Sequence, residues 1–180
     1  MKNKNNCFLT IDYGYYSEHF EDTLQGLKKH KKVSIYSDPG NIDITYLINF
    51  NLINKIVKIC SKFKIKLIYF STNYVYPAKA GNYTEKDPVL PHNKYGWSKL
   101  GGEAAVHMYK NSLILRLAIT KYPFKHKKAY TNVKSSFIYY SDAASIVMKL
   151  INQKGVINIG GKSQTIFNFV KDKKKKIFPI

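Results

Sequence analysis

The chain has 180 residues, 44% of them hydrophobic, two cysteines and a formal charge of +19. Those figures allow one domain with a real core and exclude a disulfide-built scaffold. No apolar run is long enough to span a membrane, Met1-Lys-Asn-Lys-Asn-Asn6 leads into no signal-peptide core, and a cytoplasmic protein without a membrane partner is expected.

The charge is carried by lysine. Of 30 basic residues only Arg116 is an arginine, the residue favoured for bidentate contacts to bases and phosphates. Basic runs at 28–32, 125–128 and 173–176 accompany abundant Asn, Ile and Tyr, a composition that looks more like codon bias than a shaped patch. Nucleic acid is therefore not the expected partner. A charge-driven nucleic-acid module is a rival reading, and it would show tight binding that falls steeply with salt. The five histidines form no H-x₃-H or Cys/His cluster, so no metal is expected.

In chain order, Cys7–Ile11 reads as a first strand and residues 17–29 as a helix with apolar Phe20, Leu24 and Leu27. Val33–Asp38 is a second strand, stopped by Pro39-Gly40. Tyr46–Phe63 is the clearest helix, with a stripe of Ile53, Ile56, Val57 and Cys60 widened by Leu52, Ile59 and Phe63. Cys60 on that stripe reads as core. The apolar run from Lys66 to Ser71 predicts a buried parallel strand ending at Thr72.

Residues 76–93 are a loop rich in Pro, Gly and polar residues, and a helix follows to about Tyr109. Gly101-Gly102 in that helix permits close packing at a propensity cost of about 1 kcal/mol each. Ser112–Ala118 is the next buried strand, 121–135 are basic and irregular, and a helix with Asp142 at its N-cap or first turn follows. Gly155–Gly161 closes as a strand, and Ser163–Asp172 starts a last helix before a lysine tail.

One constellation carries chemistry. Tyr95 and Lys99 lie four apart, so on a helix they stand one turn from each other on the same face. A lysine ammonium beside a phenol favours the phenolate, which makes Tyr95 able to exchange a proton near neutral pH. Thr72 would sit at the carboxyl end of its strand, where ligands lie in open α/β sheets. The two strands at 67–70 and 113–117 should be adjacent and parallel, with the Thr72 and Tyr95 hydroxyls facing one pocket.

Leu67-Ile-Tyr-Phe-Ser-Thr-Asn-Tyr-Val-Tyr76, Tyr83-Thr-Glu-Lys-Asp-Pro88 and Pro91-His-Asn-Lys-Tyr-Gly-Trp-Ser-Lys-Leu-Gly-Gly-Glu103 together resemble the extended short-chain dehydrogenase/reductase family. Within it they look most like the nucleotide-sugar branch, the dTDP-4-dehydrorhamnose reductases and kindred epimerase/dehydratases. The resemblance covers about residues 45–172. It implies an α/β fold, a Rossmann-like, doubly wound and mostly parallel sheet shortened at the N-terminus, as a single NAD(P)-binding domain over residues 1–180. It further implies an oxidoreductase that moves a hydride between NAD or NADP and a nucleotide-sugar, with a homodimer as a compatible assembly.

The resemblance also assigns roles. Tyr95 would shuttle the proton, Lys99 would lower its pKa and hold the nicotinamide ribose, and Thr72 would hydrogen-bond the reacting oxygen. Asn73 would touch the substrate where the family has Asp. Gly14 would be the middle glycine of the phosphate-binding G-x-x-G-x-x-G, whose outer positions are here Ile11 and Ser17, with Asp12 adding a negative charge. Cofactor binding is therefore expected to be weak. The chain before Thr72 is also short by about one βαβ step, at roughly 30 residues each, so that 1–44 reads as degenerate. Ile119 stands where reductases place an aromatic at the sugar. The other reading is a degenerate, non-catalytic relative that binds a nucleotide-sugar or a partner.

Overall fold

A five-stranded sheet in the order β1-β2-β3-β4-β9 organises the chain, and the computed structural model describes residues 8–11, 32–35, 52–171 and 177–180. β1 (Phe8–Ile11) pairs in parallel with β2 (Lys32–Ile35), Phe8 opposite Lys32. β2 runs parallel to β3 (Lys66–Thr72), Lys32 opposite Lys66. β4 (Ser112–Leu117) is the next neighbour and β9 (Gly155–Ile159) the last. The Leu67 N–H donates to the Asn111 carbonyl at 3.1 Å, so β3 and β4 begin side by side and run the same way. The adjacent parallel strands expected from the two apolar runs are thus found. The helix expected over 17–29, the segment around Gly14 with Asp12 and Ser17, Asp38, and the first part of the 46–63 helix lie outside the described residues.

β3 is buried at every position but Phe70, and β4 at every position. Continuous burial is what a central parallel strand covered on both faces requires, and it explains the absence of polar alternation in these runs. α1 (Ile53–Lys62) packs its stripe on this sheet: Ile53, Ile56 and Cys60 join Leu52, Ile65, Leu67, Tyr69, Val106 and Ile114 in one cluster. Phe63, expected on the stripe, is 44% exposed instead. It caps the C-terminus, and the chain turns away after it. Lys64 takes a left-handed φ of 55°, the Ile65 N–H returns to Cys60 O (2.8 Å), and the Lys64 N–H returns to Ser61 O (3.3 Å). This is a Schellman ending with lysine where glycine is usual.

α2 (Lys94–His107) links β3 to β4, ending two residues before the expected Tyr109. The contacts divide the chain into two compact units, residues 1–116 with 153–157, and residues 117–152 with 158–180. Within the first, the Lys66 ammonium donates to Gln153 O and the Tyr109 hydroxyl to Ile65 O.

The second unit is built from short pieces. β5 (Ile119–Thr120) pairs in parallel with β8 (Ile138–Tyr139) and β6 (Lys128–Ala129) in parallel with β11 (Phe178–Pro179), whereas β7 (Lys134–Ser135) runs antiparallel to β10 (Gln164–Thr165). The stretch 121–135, expected to be irregular, therefore holds two short strands. Its helices are α3 (Tyr140–Leu150), with Asp142 in the first turn and Tyr139 at the N-cap, and α4 (Ile166–Lys171). Tyr139 packs edge-on to Tyr122 and against Phe169. The Gly161 N–H donates to Ser136 O at 2.6 Å, an approach a side chain would block because a Cβ there would lie 2.9 Å from Phe137 O. Among the described residues no helix is long and apolar enough to cross a membrane.

Burial pushes the Cys60 thiol up to about 12, and a thiol of that kind is chemically inert. Alkylation with iodoacetamide near neutral pH should leave Cys60 unmodified in the folded protein and label it fully in denaturant, as read by peptide mass analysis.

Candidate active site

The site residues gather at the carboxyl end of β3. Thr72 ends the strand and caps a short 3₁₀ turn, Asn73–Val75, accepting the Tyr74 N–H on its hydroxyl at 3.3 Å. A hydroxyl at the N-cap satisfies a donor that the turn itself cannot pair. Thr72 is buried, Asn73 is half-buried, and the Thr72 hydroxyl stands 3.5 Å from Asn73 Oδ1. The apolar strand fixes where Thr72 stands, and the turn fixes which way the chain leaves.

α2 begins at an Asn93 N-cap in extended conformation, whose Oδ1 accepts the Gly96 N–H at 2.7 Å. Gly96 then lies against the 3₁₀ turn. A Cβ on it would fall 2.4 Å from Tyr74 O and 2.9 Å from Pro91 Cβ, so only glycine lets the helix come this close. The approach brings the Tyr95 ring edge-on to Tyr74, with centroids 6.3 Å apart, and Tyr74 edge-on to His92 at 5.8 Å. Helix propensity points to Gly101-Gly102 for close packing, and Gly96 is the position where the contact decides the geometry.

One turn on, Lys99 is 1% exposed. Its ammonium lies 6.0 Å from the Tyr95 ring centroid and 5.2 Å from that of Tyr69, and it donates to Phe70 O at 3.0 Å. Burial lowers its pKa to about 7, against a smaller raising effect of Glu103. Burial, helped by the nearby Glu103 and Tyr95, holds the Tyr69 phenol well above 10. The structure thus brings Tyr95 and Lys99 together and sets Thr72 on the turn that meets them. Gly14 lies outside the described residues.

Below this layer is a network that the motifs do not reveal. Glu103 is one turn beyond Lys99 on the same face of α2 and is 1% exposed. Its carboxylate accepts the Ser71 hydroxyl (2.5 Å) and takes a forked pair from Arg116, Nε at 3.0 Å and Nη2 at 2.7 Å. Arg116 Nη1 donates to the Tyr76 hydroxyl (2.8 Å), which donates to Thr84 O (2.9 Å). Burial opposes the guanidinium's charge, and the Glu103 bonds and charge together with Tyr76 outweigh it, so Arg116 stays charged. Two signals for this network are present in the sequence: Glu103 four residues past Lys99, and the one arginine in a lysine-rich chain.

Among the described residues no three His, Cys, Asp or Glu side chains gather as metal ligands. The fit of a nicotinamide dinucleotide turns on the ribose that would lie beside Tyr95. Lys99 has three N–H groups, and among the described residues its one hydrogen-bond acceptor is Phe70 O. With respect to the described residues, donor capacity is left on an ammonium 6.0 Å from the Tyr95 ring centroid, which fits a ribose hydroxyl held at that point.

Gly96→Ala should be destabilising, because overpacking costs typically about 1–3 kcal/mol and one atom met is backbone, while the helix-propensity gain is about 1 kcal/mol; a thermal melt should show a midpoint several degrees lower. Stability should also depend on pH through Lys99. With its pKa at about 7 folded and 10.5 unfolded, the folded state binds fewer protons between those values, so stability rises with pH across that window. Relative to Lys99→Met, the parent should gain several kcal/mol from about pH 7 toward pH 10, measured by urea unfolding; a flat difference would refute it.

The profile of the RmlD substrate binding domain matches residues 41–133, and that of a putative S-adenosyl-L-methionine-dependent methyltransferase matches residues 2–68. A probable low-salt glycan biosynthesis reductase, Agl14 of Haloferax volcanii, is 35% identical over 81 residues, which is 44% of this chain and 27% of that protein. The chain thus matches about a quarter of the length of that curated relative. Among solved structures, a hypothetical dTDP-4-dehydrorhamnose reductase from Sulfolobus tokodaii superposes with a TM-score of 0.76 at 22% identity, covering 94% of this chain and 71% of that one. The dTDP-4-dehydrorhamnose reductase of Bacillus anthracis in complex with NADP gives 0.76 at 20% identity, covering 91% and 70%. At these identities the structures establish the fold, a Rossmann-like α/β sheet. The RmlD profile covers more than half of the chain and contains the strand, turn and helix that carry Thr72, Tyr95 and Lys99. The chain belongs to the RmlD substrate binding domain family, among the nucleotide-sugar reductases and epimerases.

Proposed function

We propose that the chain is an NAD(P)-dependent oxidoreductase of the nucleotide-sugar reductase/epimerase type, with Thr72, Tyr95 and Lys99 as its proton-handling site. The observation that carries this reading is the buried Lys99 ammonium beside the Tyr95 ring, at the carboxyl end of a central strand. In the reductive direction the Thr72 hydroxyl holds the sugar carbonyl oxygen and Tyr95 gives it a proton as the carbonyl carbon is reduced. Bound NADH or NADPH supplies the hydride. Lys99 stabilises the resulting phenolate and donates to the ribose, and Asn73 borders the sugar. A dTDP-linked 4-keto sugar is the substrate class that follows from the family.

The methyltransferase match falls on the segment of β1–β3, which any doubly wound sheet supplies, and a fold shared at that level does not carry a reaction. The second reading is the non-catalytic relative. It is favoured by Ile11 and Ser17 at the outer glycine positions of the phosphate loop.

Titration calorimetry with NADH, NADPH, S-adenosylmethionine and a dTDP-sugar distinguishes these. Each lost backbone bond to a charged phosphate costs about 1.5–3 kcal/mol, so the dinucleotides should bind weakly and turnover should be slow. Lys99→Ala should weaken dinucleotide binding by roughly tenfold or more, and Tyr95→Phe should lower turnover by about 10²-fold or more. Preferential binding of S-adenosylmethionine, or no dinucleotide binding at millimolar concentration, would overturn the enzyme reading. Binding of the dTDP-sugar without turnover would establish the non-catalytic one.

A further inference from the structure

The loop after the 3₁₀ turn does not choose its conformation for local reasons. Within five residues, Ala78, Gly81 and Asn82 take left-handed φ of 54°, 75° and 53°. Alanine in particular resists that region, so contacts outside the backbone must hold the segment. Two tyrosines supply them. The Tyr83 hydroxyl accepts the N–H groups of Lys79 (3.0 Å) and Ala80 (3.1 Å), and its ring stacks on Tyr76 with centroids 4.9 Å apart and planes 3° from parallel. The Tyr76 hydroxyl donates to Thr84 O, and Thr84 in turn donates through its N–H (2.6 Å) and hydroxyl to Asp87 Oδ2.

Tyr76 is itself held from inside. Arg116 Nη1 donates to its hydroxyl, and the guanidinium lies 5.0 Å from its ring centroid. Arg116 is oriented by the Glu103 fork, and Glu103 by Ser71 on β3. The order matters physically. A guanidinium fixed on one edge by a carboxylate presents its remaining N–H groups in a rigid direction. The phenol then receives one bond from the core and passes one to the loop.

We propose that Arg116 and Tyr76 are positioning residues that fasten the 76–87 loop to the core, and that the Tyr76 hydroxyl is the releasable link in the chain Glu103–Arg116–Tyr76–Thr84. Before the loop Tyr74 packs edge-on to Tyr95, and after it Pro91 lies against Gly96, the next residue on α2, so the fastening bears on the surroundings of that phenol. The inference stands apart from the reaction proposed above, because no readout of its test involves a ligand.

The test is hydrogen exchange with Tyr76→Phe, which keeps the stacked ring and removes one hydroxyl. The amides of Lys79, Ala80, Thr84 and Asp87 should exchange at least tenfold faster than in the parent, while those of α1 and β3 stay unchanged. Arg116 is the one arginine, so its Nε–H gives a single assignable resonance. That resonance should remain protected in Tyr76→Phe, because Glu103 still accepts it, and should lose protection in Glu103→Gln together with the loop amides. If Glu103→Gln does not fold, exchange of the parent in low urea replaces it. The loop amides should then open at lower urea than the Arg116 Nε–H. Loop amides that exchange in Tyr76→Phe as in the parent would overturn the proposal, as would loop and core amides opening together in either experiment.

Discussion

Three charged side chains, Lys99, Glu103 and Arg116, are buried in one unit around the end of β3. Charges out of water cost several kcal/mol apiece unless they are paired and hydrogen-bonded. Everything nearby is arranged to meet that demand. Ser71, Phe70 O and Tyr76 each occupy a direction in which one of these groups would otherwise be unsatisfied. Two strands, one helix and one loop are thereby tied to a single electrostatic centre, and removing Glu103 or Arg116 leaves the other's charge stranded. A hydrophobic core of the same volume would tolerate far more variation.

The site and its support divide between what a linear pattern can carry and what it cannot. β3 and β4 are legible because parallel central strands are apolar throughout, and α1 because its stripe repeats with the helical period. The Tyr95–Lys99 pair is legible because four residues is one helical turn. Arg116 is not, since nothing local to Ser112–Leu117 says that its side chain meets a carboxylate thirteen residues away or a phenol forty residues away. The role of Gly96 is hidden for a related reason: its partner is the backbone of Tyr74, and a backbone carbonyl has no sequence signature. Phe63 departs from expectation because periodicity alone cannot say where a stripe stops, whereas the left-handed Lys64 does.

The same unit explains why a chain of such high positive charge can hold a lysine without water. Most of its described lysines are on the surface, where the ammonium stays hydrated. Lys66 and Lys99 are buried, and each has its ammonium on a main-chain carbonyl, Gln153 O and Phe70 O respectively. A carbonyl offers partial negative charge without a second full charge to desolvate. In Lys99 burial still outweighs the raising effect of Glu103 and brings the pKa down to about 7.

The buried face of α2, Gly96–Lys99–Glu103–Val106, has one further consequence. A helix seated by a uniform aliphatic stripe can slide by one turn against its sheet and still find apolar neighbours. Here a four-residue slip would bring Glu103 to the place of Lys99, setting a carboxylate against the Phe70 carbonyl, and would carry the guanidinium's partner away from Arg116. Misregistered packings are thereby raised in energy relative to the correct one, so the polar face that weakens the helix's amphipathic signal in the sequence also makes its axial position unique.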